Sequence, residues 1–167
     1  PSETPVGTAT PTSSTPVETA TPSQTPVASP TSSPTATATP IPNGTLTGKV
    51  LAGKPVTVSL YSGNTLVTSV SADQEGDFSL TAPAGSYTVV ATASGFLSAQ
   101  GSASLIGGSN STKPAITLLA GDIDANNVID QFDAMTIGMN YNLATPSAAD
   151  LNNDGVINVL DLELLAA

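Results

Sequence analysis

The chain has 167 residues, of which 39% are hydrophobic and only 4% aromatic, so it has room for one or two small domains with modest cores. Three lysines and no arginine face 13 acidic residues, and the net charge of −10 argues against nucleic acid or anionic lipid as a partner and favours a cation. The absence of cysteine excludes disulfides, thiolate nucleophiles and thiolate zinc sites.

Residues 1–43 consist almost entirely of Pro, Thr, Ser, Ala and Val, and the tripeptide TPV recurs at Thr4, Thr15 and Thr25. Proline rings restrict φ and remove backbone donors, so this composition predicts an extended, disordered linker. Its Ser and Thr density is typical of an O-glycosylated stalk, and an unmodified spacer is the equal alternative. Either reading places the chain outside the cell. No signal-peptide pattern opens the sequence, and we expect a C-terminal portion of a longer secreted protein.

Between residues 44 and 119, hydrophobic and polar residues alternate with the period of two that is typical of half-buried strands. The clearest runs are residues 56–60, 78–80 and 87–91. Turn-forming residues, mainly Gly, Asn and Pro, separate these runs at short intervals. The pattern predicts an all-β, antiparallel sandwich of about seven strands that ends in a strand over residues 115–119.

One stretch of this region, DQEGDFSLTAPAGSYTVVATASGF from Asp73 to Phe96, has a more specific pattern. A Gly and an aromatic residue mark a hairpin, a Pro-x-Gly-x-Tyr motif enters the next strand, and a Gly-aromatic pair ends it. The residues concerned are Gly76, Phe78, Pro83, Gly85, Tyr87, Gly95 and Phe96. The stretch resembles the carboxypeptidase regulatory-like, or transthyretin-like, β-sandwich family. The resemblance implies an Ig-like or transthyretin-like fold with a structural role.

Eight of the thirteen acidic residues lie between Asp122 and Glu163, in two segments that are offset by 28 residues throughout. Calcium takes six to eight oxygen ligands, and a twelve-residue loop supplies them from positions 1, 3, 5, 7, 9 and 12, with a main-chain carbonyl at position 7. These positions are Asp122, Asp124, Asn126, Val128, Asp130 and Asp133 in the first segment, and Asp150, Asn152, Asp154, Val156, Asn158 and Asp161 in the second. The spacing therefore predicts two bound Ca²⁺ ions.

The sharp turn at position 6 has Gly155 in the second loop and Asn127 in the first. Asn is the non-glycine residue that best tolerates a left-handed backbone, so we expect the first loop to adopt the same turn. Position 8 is isoleucine in both copies, Ile129 and Ile157. In paired calcium loops this position forms a short β bridge, and we expect the same contact here.

Each loop is followed by a stretch that is compatible with a helix, residues 131–141 and 159–167, and neither is preceded by one. Position 12 is Asp rather than the Glu of full EF-hands. A duplicated loop-helix unit of this kind, after a Pro/Thr linker, resembles the dockerin, the module that joins cellulosomal proteins to cohesins. The resemblance covers residues 120–167 and implies a small all-α domain that requires calcium and is a monomer when free. It also implies a secreted or cell-surface location on a bacterium, without membrane insertion.

In dockerins, loop positions 10 and 11 begin the surface that recognises the cohesin of a scaffoldin or cell-surface anchoring protein. By this resemblance, and from the apolar faces of the two helices, we expect the partner surface to consist of Gln131, Phe132, Met135, Met139, Val159, Leu160 and Leu164. Ile137, Leu162 and Leu165 are expected in the core. The predominantly apolar surface is nearer to the type II style of anchoring. Because the two copies differ at positions 10 and 11, the two possible orientations on a partner are not expected to be equivalent.

Only Ala120 and Gly121 separate the last predicted strand from the first calcium loop at Asp122. Two domains joined this closely are not expected to move independently. The arrangement resembles the X-module and dockerin pair at the C-terminus of some scaffoldins, in which the sandwich supports the dockerin.

Three other functions compete with cohesin docking. A calcium-responsive regulator is disfavoured because opening requires a pair of helices around each loop, and the entering helix is missing. An enzyme is disfavoured because the chain lacks His, Cys and Arg and places nearly all its clustered carboxylates at predicted metal positions. An extracellular adhesion or stalk module, rigidified by calcium but without cohesin binding, remains the main alternative.

Overall fold

The computed structural model describes residues 40–167, so the predicted linker over residues 1–39 lies outside the described residues. Along the described part the elements are β1 (Asn43–Leu51), β2 (Thr57–Ser62), β3 (Thr65–Ser71), β4 (Asp77–Pro83), β5 (Gly85–Thr92), β6 (Ala99–Leu105), β7 (Asn110–Thr112), β8 (Ile116–Thr117), α1 (Gln131–Met139) and α2 (Val159–Leu165). None of the helices in residues 40–167 has the length and apolar character that a membrane span requires. β1 starts at Asn43, and the carbonyl of Pro42 accepts the N–H of Ala84 (3.0 Å), so folded structure begins before the predicted boundary at residue 44.

The strands form two sheets that pack as a sandwich. One sheet has the order β4-β1-β7, with β8 also paired to β1, and the other has the order β3-β2-β5-β6. β1 pairs with β4 in antiparallel register, but with β7 and β8 in parallel register. The prediction of a purely antiparallel sandwich is therefore wrong at this edge. The last strand is also shorter than predicted, because the chain leaves β1 after Leu118 and the carbonyl of Leu119 accepts the N–H of Leu97 instead (2.8 Å).

The core lies between the two sheets and confirms the period-two alternation in the sequence. In β4 the buried residues are Phe78, Leu80 and Ala82, each followed by an exposed residue. Val58 and Leu60 of β2 face them from the other sheet and are completely buried. Complete burial of one such aliphatic side chain contributes about 1.5–3 kcal/mol, so the alternating pattern supplies a large share of the attraction between the sheets.

Both helices begin at the predicted residue and end two residues earlier than predicted, at Met139 and Leu165. In each helix the inward side is formed by the aspartate of the first turn and the residue four positions later. In α1 these are Asp133 and Ile137, and both are buried. In α2 they are Asp161 and Leu165.

The prediction that Leu162 belongs to the core is wrong, because 42% of its surface is exposed. Leu162 follows the buried Asp161 directly, and a step of one residue turns a helical side chain by about 100° away from the core. The same geometry explains why Leu165, four residues after Asp161, packs against the hydrophobic cluster.

The connection between the sandwich and the first loop is held by main-chain contacts. Ala120 forms an isolated antiparallel bridge with Phe96, and the N–H of Gly121 donates to the carbonyl of Gly95 (2.8 Å). The N–H of Leu97 donates to the carbonyl of Leu119 (2.8 Å). The turn after β5 therefore anchors the start of the helical part, and the apolar residues of both parts belong to one buried cluster.

Candidate metal centres and the adjoining helix surface

The two acidic loops have the same hydrogen-bond pattern, shifted by 28 residues. The carboxylate of Asp122 accepts the N–H groups of Asn126 (2.9 Å) and Asn127 (3.2 Å). The carboxylate of Asp150 accepts those of Asp154 (3.1 Å) and Gly155 (2.9 Å). In both loops the carboxylate at position 1 therefore binds the main-chain N–H groups of positions 5 and 6, and these bonds curve the chain around a common centre.

Left-handed backbone conformations occur at positions 4 and 6 of each loop. Asn127 has φ 66° and Gly155 has φ 89°, so the expected turn at position 6 is confirmed for both residues. At position 4 the residues are Ala125, with φ 60°, and Asn153, with φ 60°. Alanine rarely adopts this conformation, and the sequence has no signal for it. The closed loop therefore sets the backbone at Ala125 against its intrinsic preference.

The aspartates at position 12, Asp133 and Asp161, are completely buried and close the two loops. One oxygen of Asp133 accepts the N–H of Ile123 (2.8 Å), and the other accepts that of Asp130 (2.9 Å). Asp161 repeats these contacts with Leu151 (2.6 Å) and Asn158 (2.8 Å). Each carboxylate thus ties the start of its loop to the start of its helix. A carboxylate oxygen has two lone pairs, so these bonds leave capacity for a cation.

The remaining predicted ligands lie along the rim of each loop. At position 9, Asp130 and Asn158 are the N-caps of α1 and α2, where they accept the N–H groups of Phe132 (2.7 Å) and Leu160 (2.8 Å). At positions 3 and 5 the amide of one residue donates to the carboxylate of the other: Asn126 to Asp124 (2.9 Å) in the first loop and Asn152 to Asp154 (2.8 Å) in the second. At position 7, Val128 and Val156 have hydrocarbon side chains without a donor atom, so only their main-chain carbonyl groups can serve as ligands.

The first loop brings its carboxylates close enough to share one ion. Oxygens of Asp122, Asp124 and Asp133 lie within 4.8 Å of one another, and residues 40–167 contain no second group of three acidic side chains this close. In the second loop the residue at position 3 is the amide Asn152. Oxygen-only donors with several carboxylates suit a hard divalent cation such as calcium. The donor set therefore fits the predicted metal, and the binding itself stays a prediction.

The electrostatics of the second loop depend on two groups. Hydrogen bonds, first from the Asn152 amide and then from the Val156 N–H, lower the pKa of Asp154, so this exposed carboxylate remains ionised and available as a ligand. Lys54 lies beside the loop and is 9% exposed. Burial lowers the pKa of Lys54, while the negative charges of Asp150 and Asp161 oppose that change. The burial of Lys54 was not predictable from the sequence, because a lysine in a turn has no local pattern that indicates burial.

The sandwich contacts both loops through the turns at one end. Ser98 donates to the side-chain oxygen of Asn127 in the first loop (2.7 Å). Gly95 packs so closely against the carbonyl of Ala148, just before the second loop, that a Cβ atom would overlap it. The structure therefore agrees with the expectation that the two parts form one body, joined by direct contacts at each loop.

All seven predicted partner residues are exposed, as the hypothesis of a docking surface requires. Phe132 and Met135 are each 54% exposed and Met139 is 75% exposed on α1. On α2, Val159, Leu160 and Leu164 are exposed, as is Gln131 at the start of α1. The two helices are in contact with each other. Their role in binding a partner stays a prediction.

The prediction of a β bridge between Ile129 and Ile157 is wrong. The N–H of Ile157 donates to Leu143 (2.8 Å), and its carbonyl accepts from Asn142 (2.8 Å). The segment after α1 thus occupies the edge of the second loop that Ile129 was expected to pair with. Ile129 is instead half-buried near Gly121.

No protein-family model and no curated protein matches this chain. The solved structures that are similar to it include two interface mutants of a type II cohesin-X-dockerin complex from Acetivibrio cellulolyticus. The C-terminal interface mutant matches with a TM-score of 0.55 at 22% identity, and the N-terminal interface mutant with a TM-score of 0.57 at 21% identity. Each match covers 74% of this chain and 93% of the other chain. At these identities the likeness shows the fold.

Proposed function

We propose that this chain is a non-catalytic, calcium-dependent docking module: a dockerin with an X-module-like sandwich that binds a cohesin. The observation that carries the proposal is the pair of loops with one hydrogen-bond pattern, each leading into a helix with exposed apolar residues. The similarity in fold to chains of cohesin-X-dockerin complexes supports it.

The proposal includes two calcium ions, one in each loop. When bound, calcium offsets the mutual repulsion of the carboxylates and stabilises the folded loop. The first ion would be held by Asp122, Asp124, Asn126, Val128, Asp130 and Asp133, and the second by Asp150, Asn152, Asp154, Val156, Asn158 and Asp161. Because position 9 caps the helix and position 12 joins helix to loop, a disordered loop would also release the start of its helix.

The docking surface is the apolar side of α1 and α2. Phe132 follows the N-cap of α1 by two residues, and Leu160 holds the same place on α2. The aromatic ring of one copy and the aliphatic chain of the other would contact a cohesin differently, so one orientation is favoured. The complex belongs outside the cell, in a cellulosome-type assembly on a bacterial surface, and the free module is a monomer.

A double change, Phe132→Asp with Leu160→Asp, is expected to weaken binding to a type II cohesin at least about thirtyfold, because the loss of even one buried apolar anchor costs about 2 kcal/mol or more. Isothermal titration calorimetry in excess calcium measures the change. The wild-type chain should bind with calcium and lose binding in chelator.

The matched control is Leu66→Asp on the sandwich, since Leu66 is 52% exposed, close to the value for Phe132. This variant should bind as the wild type does. Calcium uptake by the wild type without binding to any of a panel of cohesins would instead favour the stalk or adhesion function.

A further inference from the structure

Lys54 has an unusual place in this acidic chain. It belongs to the turn between β1 and β2, and its ammonium donates to the carbonyl of Ser147, three residues before the second loop begins. Its neighbour Gly53 also packs against this part of the chain. A Cβ atom at position 53 would lie only 2.9 Å from the carbonyl oxygen of Leu151. A turn of the sandwich therefore delivers a buried positive charge to the second loop.

Within residues 40–167, the first loop has no equivalent cation. The chain has three basic residues, all lysines, and the other two bond elsewhere. Lys49 pairs with Asp77 (2.9 Å) on the outer face of β1 and β4, and Lys113 donates to the carbonyl of Ser102. The first loop contains four carboxylates, whereas the second contains three.

From this juxtaposition we infer that Lys54 is a resident counter-cation, which keeps the second loop folded before calcium arrives, whereas the first loop requires calcium to fold. The inference rests on the proposed function only in assuming that both loops bind calcium. Without metal, the lysine attracts Asp150 and Asp161 and so offsets part of the repulsion among the three carboxylates of this loop, the third being Asp154. Bound calcium reduces the net charge of these three carboxylates from −3 to −1, so the lysine then contributes less.

Hydrogen exchange of single amides can test this in the full chain. The N–H of Gly155 donates to Asp150, and the N–H of Asn127 donates to Asp122, so each amide reports on one loop. In chelator, we expect the wild type to protect Gly155 at least about tenfold more than Asn127. In excess calcium both amides should be protected.

Lys54→Met keeps the length of the side chain and removes its charge. Protection of Gly155 should fall at least about tenfold in chelator and less than about threefold in calcium. A role confined to packing or to the bond with Ser147 would lower protection equally in both conditions. Lys49→Met, which removes a lysine that is remote from the loops, should change neither amide.

Two results would overturn the inference: no protection of Gly155 in wild-type chain with chelator, or an equal loss in both conditions for the variant. If Lys54→Met does not fold, Lys54→Gln is the replacement, because its amide can still donate to Ser147. If calcium increased the exchange protection of neither the Asn127 amide nor the Gly155 amide in the wild type, that result would contradict the calcium proposal itself. The two failures can therefore be told apart.

Discussion

Gly95→Ala is expected to destabilise the chain by about 3–4 kcal/mol. Gly95 has φ 80°, a conformation that costs an alanine about 1 kcal/mol, and its Cβ would overlap the carbonyl of Ala148. Main-chain atoms on both sides prevent the overlap from being relieved by a side-chain movement. Urea unfolding followed by circular dichroism in excess calcium measures the change in free energy of unfolding.

Gly108→Ala is the matched control. Gly108 has φ 74°, and no atom lies within 4 Å of the Cβ that an alanine would place there. This variant should therefore lose only the free energy of backbone strain, about 1 kcal/mol. Hydrogen exchange of Gly121, whose N–H donates to Gly95, should increase only in Gly95→Ala. Equal losses in the two variants would mean that the contact between the sandwich and the segment before the second loop contributes nothing.

Asp161→Asn is expected to cost about 3 kcal/mol in excess calcium. Asp161 is completely buried, and its two oxygens accept N–H groups from opposite ends of the loop, at Leu151 and Asn158. An amide has one acceptor oxygen, so one of these N–H groups would face an NH₂ group and lose its bond. Thermal or urea unfolding monitored by circular dichroism measures the loss.

Asp154→Asn makes the same change of charge in the same loop and serves as its control. Asp154 is exposed, and the corresponding residue of the first loop is already an amide, Asn126. We expect it to cost much less than Asp161→Asn, because an exposed carboxylate loses only part of its attraction to the ion and no buried hydrogen bond. If Asp154→Asn proved as costly as Asp161→Asn, the buried hydrogen bonds of Asp161 would have no separate contribution.

Local sequence patterns were sufficient to predict β2, β4, β5 and the two helices in their correct order. Alternation in β4 predicts the inward side of Phe78 and Leu80, and the spacing of the acidic residues predicts where α1 and α2 begin. Both features depend on residues close together in the chain. The left-handed turn at Asn127 was predictable for the same reason, because few residues other than glycine and asparagine adopt it readily.

Features that depend on distant contacts were not predictable from these patterns. Lys54 is buried because Ser147, 93 residues later, comes to lie beside it. Ile157 pairs with the segment at Leu143 instead of with Ile129, and no local periodicity specifies such a choice. Leu162 is exposed because Asp161, the residue before it, is buried in the loop and fixes the rotation of the helix.

The parallel pairing of β1 with the last two strands has a mechanical consequence. β1 is the first strand of the sandwich and β8 the last, so tension between Asn43 and Ala120 would pull neighbouring strands in opposite directions along their axes. The transverse bonds between them, such as that from Leu118 to Leu51 (2.9 Å), would then be loaded in shear simultaneously instead of breaking one after another. A module with this geometry is suited to transmit a pulling force along the chain without unravelling.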